Sequence, residues 1–303
     1  MYDLIIIGAG PAGITAGVYA ARKKVDFMVL TGDIGGQAAL SGDVENYTGY
    51  QFVTGPELAA KFEEHMRKFD FVLKENETAT RIVQTDGSAF TVKTDKGAYE
   101  TRTIIIASGK KSRALNVSGE AEFKNKGVSY CATCDGPIFT GKDVAVIGGG
   151  NSALDAATQL MKIARSVYVV NNAPQITGDE VMRDKLIDGK NVTILNNASV
   201  VSIIGDKFVS GIRIRQGEKE ETLSVQGVFV EIGLIPNTEF AQGIERNASG
   251  EIKVNSSNET NIPGIFAAGD ATDVPEKQII VAAGEGAKAA LSACRYLARH
   301  KFS

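Results

Sequence analysis

Twice along this chain a short β-branched run enters a glycine-rich turn and then a helix pattern. The first copy is Leu4-Ile5-Ile6-Ile7, then GAGPAG from Gly8 to Gly13, then an alanine-rich stretch to Arg22. The second is Val144-Ala145-Val146-Ile147, then GGGNSA from Gly148 to Ala153, then a helical pattern to Lys162. Each leads to another apolar strand, ending near Leu30 in the first copy and at Val170 in the second. A run that is apolar at every position belongs to a parallel strand covered on both faces. The pattern is therefore a βαβ unit, twice, and the fold class is α/β. The glycines have a mechanical reason. The first permits the tight strand-to-helix turn, and the second lets the backbone approach a pyrophosphate. The third position, Gly13 or Ala153, permits close helix–strand packing, and the helix N-terminus then favours the phosphate charge. One such loop is weak evidence, but two copies in strand–turn–helix context point to two dinucleotides on one chain. An acidic residue normally binds the adenosine ribose about 20 residues beyond the first glycine. Thr31 and Asn171 stand near those positions, so both copies depart from the simplest fingerprint.

A chain of 303 residues has room for about two domains of ~150 residues each. Between the repeats lies a β-rich stretch with candidate strands at Arg81-Ile82-Val83 and Ala89-Phe90-Thr91-Val92, closing on TIIIASG at Thr103 to Gly109. After the second repeat the pattern recurs at Val201 to Ile204, Gly211 to Arg215 and GVFVEIG, Gly227 to Gly233. From Asn237 onward there is no third nucleotide motif. GIFAAGD, Gly264 to Asp270, reads as a strand ending in an aspartate that could reach a ligand, and Gly284 to Leu297 reads as a helix. The tail is expected to complete the first domain. A net charge of -3 leaves no basic footprint for nucleic acid or an anionic membrane. Apolar runs such as Ile104 to Ala107 fall far short of the ~18 residues of a membrane span. The N-terminus shows no signal-peptide pattern, so a cytoplasmic location is expected.

The chain has three cysteines, two of them in YCATCDGP at residues 130–137. Three readings are open for this Cys131–Cys134 pair: half of a metal site, a structural staple, or a dithiol that carries electrons. A zinc site of the usual kind needs four ligands, and Cys294, His65 and His300 do not stand at ligand spacing to one another. In a reducing compartment such a pair is more often catalytic or metal-binding than a permanent staple. Cys294, within LSACRYL, reads as a buried packing residue of the terminal helix.

The order GAGPAG, GGQ (Gly35 to Gln37), ENY (Glu45 to Tyr47), CATCDG, GGGNSA and GIFAAGD resembles the low-molecular-weight thioredoxin reductases over essentially the whole chain. CDGPIFTGKDVAVIGGGNSALDAA, GVFVEIGLIPNT and KQIIVAAGEGAKAALSA look most like the flavoprotein component of alkyl hydroperoxide reductase. That component carries a further N-terminal region of thioredoxin-like folds, and the expectation is of a chain without it. The resemblance implies two Rossmann-like domains, with the nicotinamide domain, residues 113–236, inserted in an FAD domain made of 1–112 and 237–303. FAD would lie on the loop of Gly8, Gly10, Pro11, Ala12 and Gly13, with Gly36, Gln37, Asn46 and Gly109. Gly269, Asp270, Gln278 and Ile279 would complete its site, Asp270 reaching the ribitol. The nicotinamide cofactor would lie on Gly148, Gly150, Asn151 and Ser152. SGKKSR and GLIPNT would be the hinge strands of a swivel between the domains. A homodimer is also implied.

By the same resemblance Cys134 faces the flavin, Cys131 attacks the substrate disulfide, and Asp135 protonates the departing thiolate. An anionic Asp135 would raise a neighbouring thiol's pKa, and a turn-forming role before Gly136 stands beside the acid role. Recognition of a 2′-phosphate uses arginine forks. The stretch Asn171-Asn172-Ala173-Pro174-Gln175 has none, with no base until Arg183, so NADH is expected over NADPH. Asn171 would bond a ribose hydroxyl. Pro137-Ile138 stands where thioredoxin reductases often carry an aromatic pair. The expected partner is therefore a small Cys-x-x-Cys protein, thioredoxin- or glutaredoxin-like, feeding a peroxiredoxin. Alternatives are a ferredoxin- or NADPH-dependent thioredoxin reductase, a flavin NAD(P)H oxidase and a ferredoxin–NADP reductase.

Overall fold

A computed structural model describes residues 1–85 and 89–300. The chain divides into two compact units, Met1–Lys111 with Ile235–Ser303, and Ser112–Leu234.

The first unit is built on the strand Tyr2–Ala9, which leads through Gly10 into the helix Pro11–Arg22 and back to the strand Phe27–Ile34. The two strands run parallel, with Leu4 opposite Phe27 and Ile7 opposite Leu30. On its other edge Tyr2–Ala9 pairs in parallel with the long strand Ala98–Ile106. The unbroken apolar run has a visible cause. Leu4 and Ile6 pack into one core cluster, while Ile5 and Ile7 pack into another. Both faces of the sheet are covered, so alternation would leave polar groups buried. The first half of Ala98–Ile106 also closes an antiparallel meander with Phe90–Thr94 and Ala79–Gln84. The strand Ile265–Ala267 pairs in parallel with its second half, Ile265 opposite Ile104. The final helix, Ile279–Arg299, extends beyond the Gly284–Leu297 read from sequence. Its first turn, Ile279-Ile280-Val281, is β-branched, and packing of Ile279 against Val44, Val53 and Leu58 overrides that weak helix propensity.

The second unit carries a five-stranded parallel sheet in the order Val128–Ser129, Gly227–Val230, Asp143–Ile147, Ser166–Val170, Val192–Leu195. Here too the central strand serves two cores, Val144 and Val146 on one face, Ala145 and Ile147 on the other. The strand read as GVFVEIG stops at Val230. Pairing with the central strand ends there, and Gly233 turns the chain away with φ +94. The helix Asn151–Leu160 follows the second glycine loop. A three-stranded antiparallel sheet of Ala198–Gly205, Val209–Gln216 and Lys219–Leu223 completes the unit.

Candidate functional site

In the first unit the glycine loop is shaped from three directions. Gly8 has φ +105, and a β-carbon there would lie 2.3 Å from the Ala107 carbonyl oxygen. A β-carbon on Gly13 would lie 1.8 Å from the oxygen of Gly8. Neither position tolerates a side chain, and both keep helix Pro11–Arg22 tight against its strand. Gly36, at φ +52, brings its own backbone to Gly10, and Gly269, at φ +70, packs on Ala12. Gly10 is different: the nearest heavy atom to a β-carbon there is 4.0 Å away, so protein packing alone does not require glycine. The helix begins at Gly10 with no side-chain cap, which leaves its first amides for a ligand.

The other expected residues of this unit sit on converging segments. The Gln37 carboxamide donates to the Lys110 carbonyl at 3.2 Å, and that of Asn46 donates to Gln278 Oε1 at 3.0 Å. Asn46 and Gln278 are exposed, and Gln278 precedes the uncapped helix Ile279–Arg299. Gly109 has φ +61 and open space around it. Asp270 follows the strand Ile265–Ala267, where burial pushes its carboxyl above the ordinary range, partly countered by Lys277 and Lys110. Those two lysines both reach Glu251 at 3.0 Å. Burial alone would raise the Glu251 carboxyl, but the bonds from Asn247, Lys110 and Lys277 bring it down to about 2. This ion cluster had no sequence signature, because Lys110, Glu251 and Lys277 lie far apart in the chain. Thr31 is buried with its hydroxyl spent on the Ala9 amide and the Asp33 carbonyl, so it braces the strand end.

The second loop repeats the arrangement. Gly148 has φ +136, and a β-carbon there would lie 2.2 Å from the Glu231 carbonyl oxygen. One on Gly149 would lie 2.4 Å from Asn171 Oδ1. Around Gly150 no heavy atom lies within 4 Å of a β-carbon, and helix Asn151–Leu160 starts there without a side-chain cap. Ser152 is exposed, while Asn151 Oδ1 accepts from the Asp179 amide at 2.7 Å. Asn171 is buried, and its carboxamide bonds Ala173 and Asn196. It supports the glycine loop from beneath, its Nδ2 donating to Ala173 and Asn196 and its Oδ1 accepting the Ala173 amide. Gly10 and Gly150 thus stand at open cradles beside uncapped helix N-termini, which fits a dinucleotide at each loop.

Glu231 was not singled out in the sequence. It follows the last paired residue of its strand and donates its amide to Ile147. Burial, with the nearby charge of Asp155, pushes its carboxyl up to about 8. The folded state therefore holds this proton between about pH 4.5 and 8, where the unfolded chain has lost it. Stability falls as pH rises across that window and stays reduced above it. Glu231→Gln removes this penalty. The melting temperature of the variant relative to the native protein should climb by several degrees from pH 5 to pH 9. An unchanged difference in parallel thermal melts would refute the assignment.

Cys131 and Cys134 are joined as a disulfide, with Cα atoms 5.4 Å apart. Cys131 caps the short helix Ala132–Asp135, its sulfur accepting the Cys134 amide at 3.0 Å. Cys131 is half-buried and Cys134 exposed. Ser129 straddles the loop: its hydroxyl accepts the Cys131 amide at 3.0 Å and donates to Asp135 Oδ2 at 2.6 Å. Asp135 is thereby held beside the pair. Ser129 went unnoticed in the sequence, although a hydroxyl two residues before the first cysteine was its signal. Ile138 is 63% exposed next to the loop. Cys294 is a free thiol, half-buried rather than buried as read from the sequence, because it lies at the edge of the packed face of its helix. No described helix is long and apolar enough to cross a membrane.

Residues 2–286 match the family described as pyridine nucleotide-disulphide oxidoreductase. The chain is 44% identical over 303 residues to a Bacillus subtilis (strain 168) protein named NADH dehydrogenase, covering 99% of this chain and 59% of that one. It is 43% identical over 307 residues to the F component of Escherichia coli (strain K12) alkyl hydroperoxide reductase, again covering 99% and 59%. It thus spans about three fifths of these curated relatives. Among solved structures, Lactococcus lactis thioredoxin reductase in the FR conformation superposes with a TM-score of 0.91 at 33% identity, covering 99% of this chain and 100% of that one. The T. acidophilum thioredoxin reductase gives 0.88 at 36% identity, covering 98% of each.

Proposed function

Because the chain belongs to the pyridine nucleotide-disulphide oxidoreductase family, we propose that it passes two electrons from NADH, through FAD, to the Cys131–Cys134 disulfide and on to a small Cys-x-x-Cys protein. The observation that carries this reading is the disulfide itself, with Cys134 exposed, in a chain with two open glycine cradles. Family membership implies FAD and a pyridine nucleotide. When bound, FAD would supply two-electron transfer between nicotinamide and disulfide. The first unit would hold it at Gly10 and the amides behind it, with Asp270, Asn46 and Gln278 as polar contacts. The second unit would hold the nicotinamide cofactor at Gly150, Asn151 and Ser152.

In balance, NADH, one proton and the disulfide give NAD⁺ and the dithiol. Cys131 passes its proton to Asp135 and, as thiolate, attacks a sulfur of the partner's disulfide, expelling a partner thiolate to which Asp135 returns that proton. Cys134 then attacks Cys131 in the mixed disulfide, its own proton passing to the departing partner sulfur, which re-forms the internal disulfide and frees the partner as a dithiol. Ser129 keeps Asp135 at this position throughout. The resemblance to thioredoxin reductases gives Cys131 the attacking role, whereas Cys134 is the more exposed residue. Mixed-disulfide trapping in Cys134→Ser and Cys131→Ser backgrounds reads the order directly. The exposed Ile138 supports an apolar contact for a thioredoxin- or glutaredoxin-like partner, one that hands electrons to a peroxiredoxin.

The NADH preference is supported by the loop 171–179, which carries no arginine or lysine to grip a 2′-phosphate. Steady-state kinetics should give a kcat/KM for NADH about tenfold or more above that for NADPH, one lost ionic contact being worth about 1.4 kcal/mol. A higher value with NADPH would reverse the assignment. A second reading, NADH oxidation that bypasses the dithiol, is favoured by the name of the B. subtilis relative. The two part company at Cys134.

A further inference from the structure

The redox turn and the second glycine loop share one helix. Ala132, between the cysteines, is buried in the same cluster as Ala156, Ala157 and Leu160 of helix Asn151–Leu160. A β-carbon on Gly136 would come 3.4 Å from Leu160 Cδ2, so the turn lies close on the end of that helix. Beside this apolar seat runs a polar one. Thr133 donates its hydroxyl to Gln159 Oε1 at 2.9 Å, and Gln159 Nε2 donates to Asp155 Oδ2 at 2.9 Å. Gln159 is thus anchored one turn back along its own helix and grips the residue next to Cys134. A glutamine free to rotate would be a poor acceptor for Thr133. Here the bond to Asp155 fixes which end of the amide faces the turn.

We propose that Gln159 is a positioning residue for the Cys131–Cys134 pair, holding Thr133 so that the two sulfurs stay at bonding distance. The inference rests on the reading of this pair as the working disulfide. Its physical content is an effective concentration. A turn held in its closing geometry forms the disulfide readily, and a loosened one must first lose conformational freedom. Losing the Thr133 bond therefore shifts the equilibrium toward the dithiol, and the pair becomes easier to reduce.

The test equilibrates the flavin-loaded full chain in buffers of reduced and oxidised glutathione, with acid quenching, alkylation and mass analysis of the Cys131–Cys134 peptide. Two glutathiones and the protein disulfide give oxidised glutathione and the dithiol, so NADH takes no part in the readout. Gln159→Leu should shift the equilibrium about tenfold toward the dithiol, a change of roughly 30 mV. Thr133→Val should give the same shift, Thr133→Ser should titrate like the native protein, and the double variant should move no further than either single one. Should Gln159→Leu fail to fold, Thr133→Val reads the same bond from its other end. Native-like titration of Thr133→Val, or additive shifts in the double variant, overturns the proposal. Failure of NADH to reduce the native pair would instead sink the disulfide reductase reading and leave this result standing.

Discussion

Cys134→Ser should yield a flavin-containing protein that still oxidises NADH with an artificial electron acceptor, yet reduces no protein disulfide. The expected loss of disulfide reductase activity is at least ~1,000-fold, because removing one member of a unit that acts together costs nearly as much as removing all of it. The remaining Cys131 thiol can open a partner disulfide, but no second sulfur can resolve the product. Partner protein should therefore accumulate as a covalent adduct on Cys131. Two measurements decide it: turnover with a small Cys-x-x-Cys protein, and adduct mass before and after a reductant. Retained disulfide reduction would dismiss the dithiol from the pathway and favour direct oxidation of NADH by the flavin. Loss of both activities, with flavin still bound, would mean that the serine has disturbed the nucleotide unit as well.

The second large effect concerns glycines that look alike in the sequence and are not alike in space. Gly150→Ala should leave folding and melting temperature unchanged, since no protein atom stands within 4 Å of the added carbon. It should weaken binding of the nicotinamide cofactor at least about tenfold, the equivalent of 1.4 kcal/mol. The backbone approach that glycine permits is to the ligand and not to the protein. Gly13→Ala should do the opposite. Its β-carbon would fall 1.8 Å from the Gly8 oxygen, so the strand–helix junction must open. Overpacking of this kind costs roughly 1–3 kcal/mol and occasionally more. Calorimetric titration beside thermal melts separates the outcomes. Unchanged cofactor affinity in Gly150→Ala would remove that cradle from the proposed site.

The contrast explains how much of the molecule could be read from its sequence. The two βαβ units were legible because strands buried on both faces write themselves as Leu4-Ile5-Ile6-Ile7 and Val144-Ala145-Val146-Ile147, and glycine marks the turns. The cysteine pair was visible from its spacing, but its reading as a working dithiol came from the resemblance. What holds these pieces was not. The support that the Asn171 carboxamide gives the loop from below, through Ala173 and Asn196, has no signal in the sequence. Glu231 carries no mark in the sequence, and its raised carboxyl follows from burial beside Asp155. The Thr133–Gln159 bond joins residues on separate elements, and no local pattern announces it.

The interrupted first unit bears on how the protein is made. The segment Ser112–Leu234 is contiguous and contains every strand of its own parallel sheet. The first unit must wait for the strand Ile265–Ala267 and for helix Ile279–Arg299, which sets Gly286 against the Ala12 carbonyl with no room for a side chain. At ~5–20 residues per second, the wait between residue 111 and that helix lasts roughly ten to forty seconds. During it both faces of the early strands lack part of their cover, the cluster of Ile5 and Ile7 awaiting Phe240, Ile244 and Ile252 and that of Leu4 and Ile6 awaiting Ala289, Ala290 and Ala293, while the middle of the chain can already be native. Nascent chains should therefore acquire protease resistance from the inside outward. The order of synthesis makes the unit that would hold the flavin the last to close.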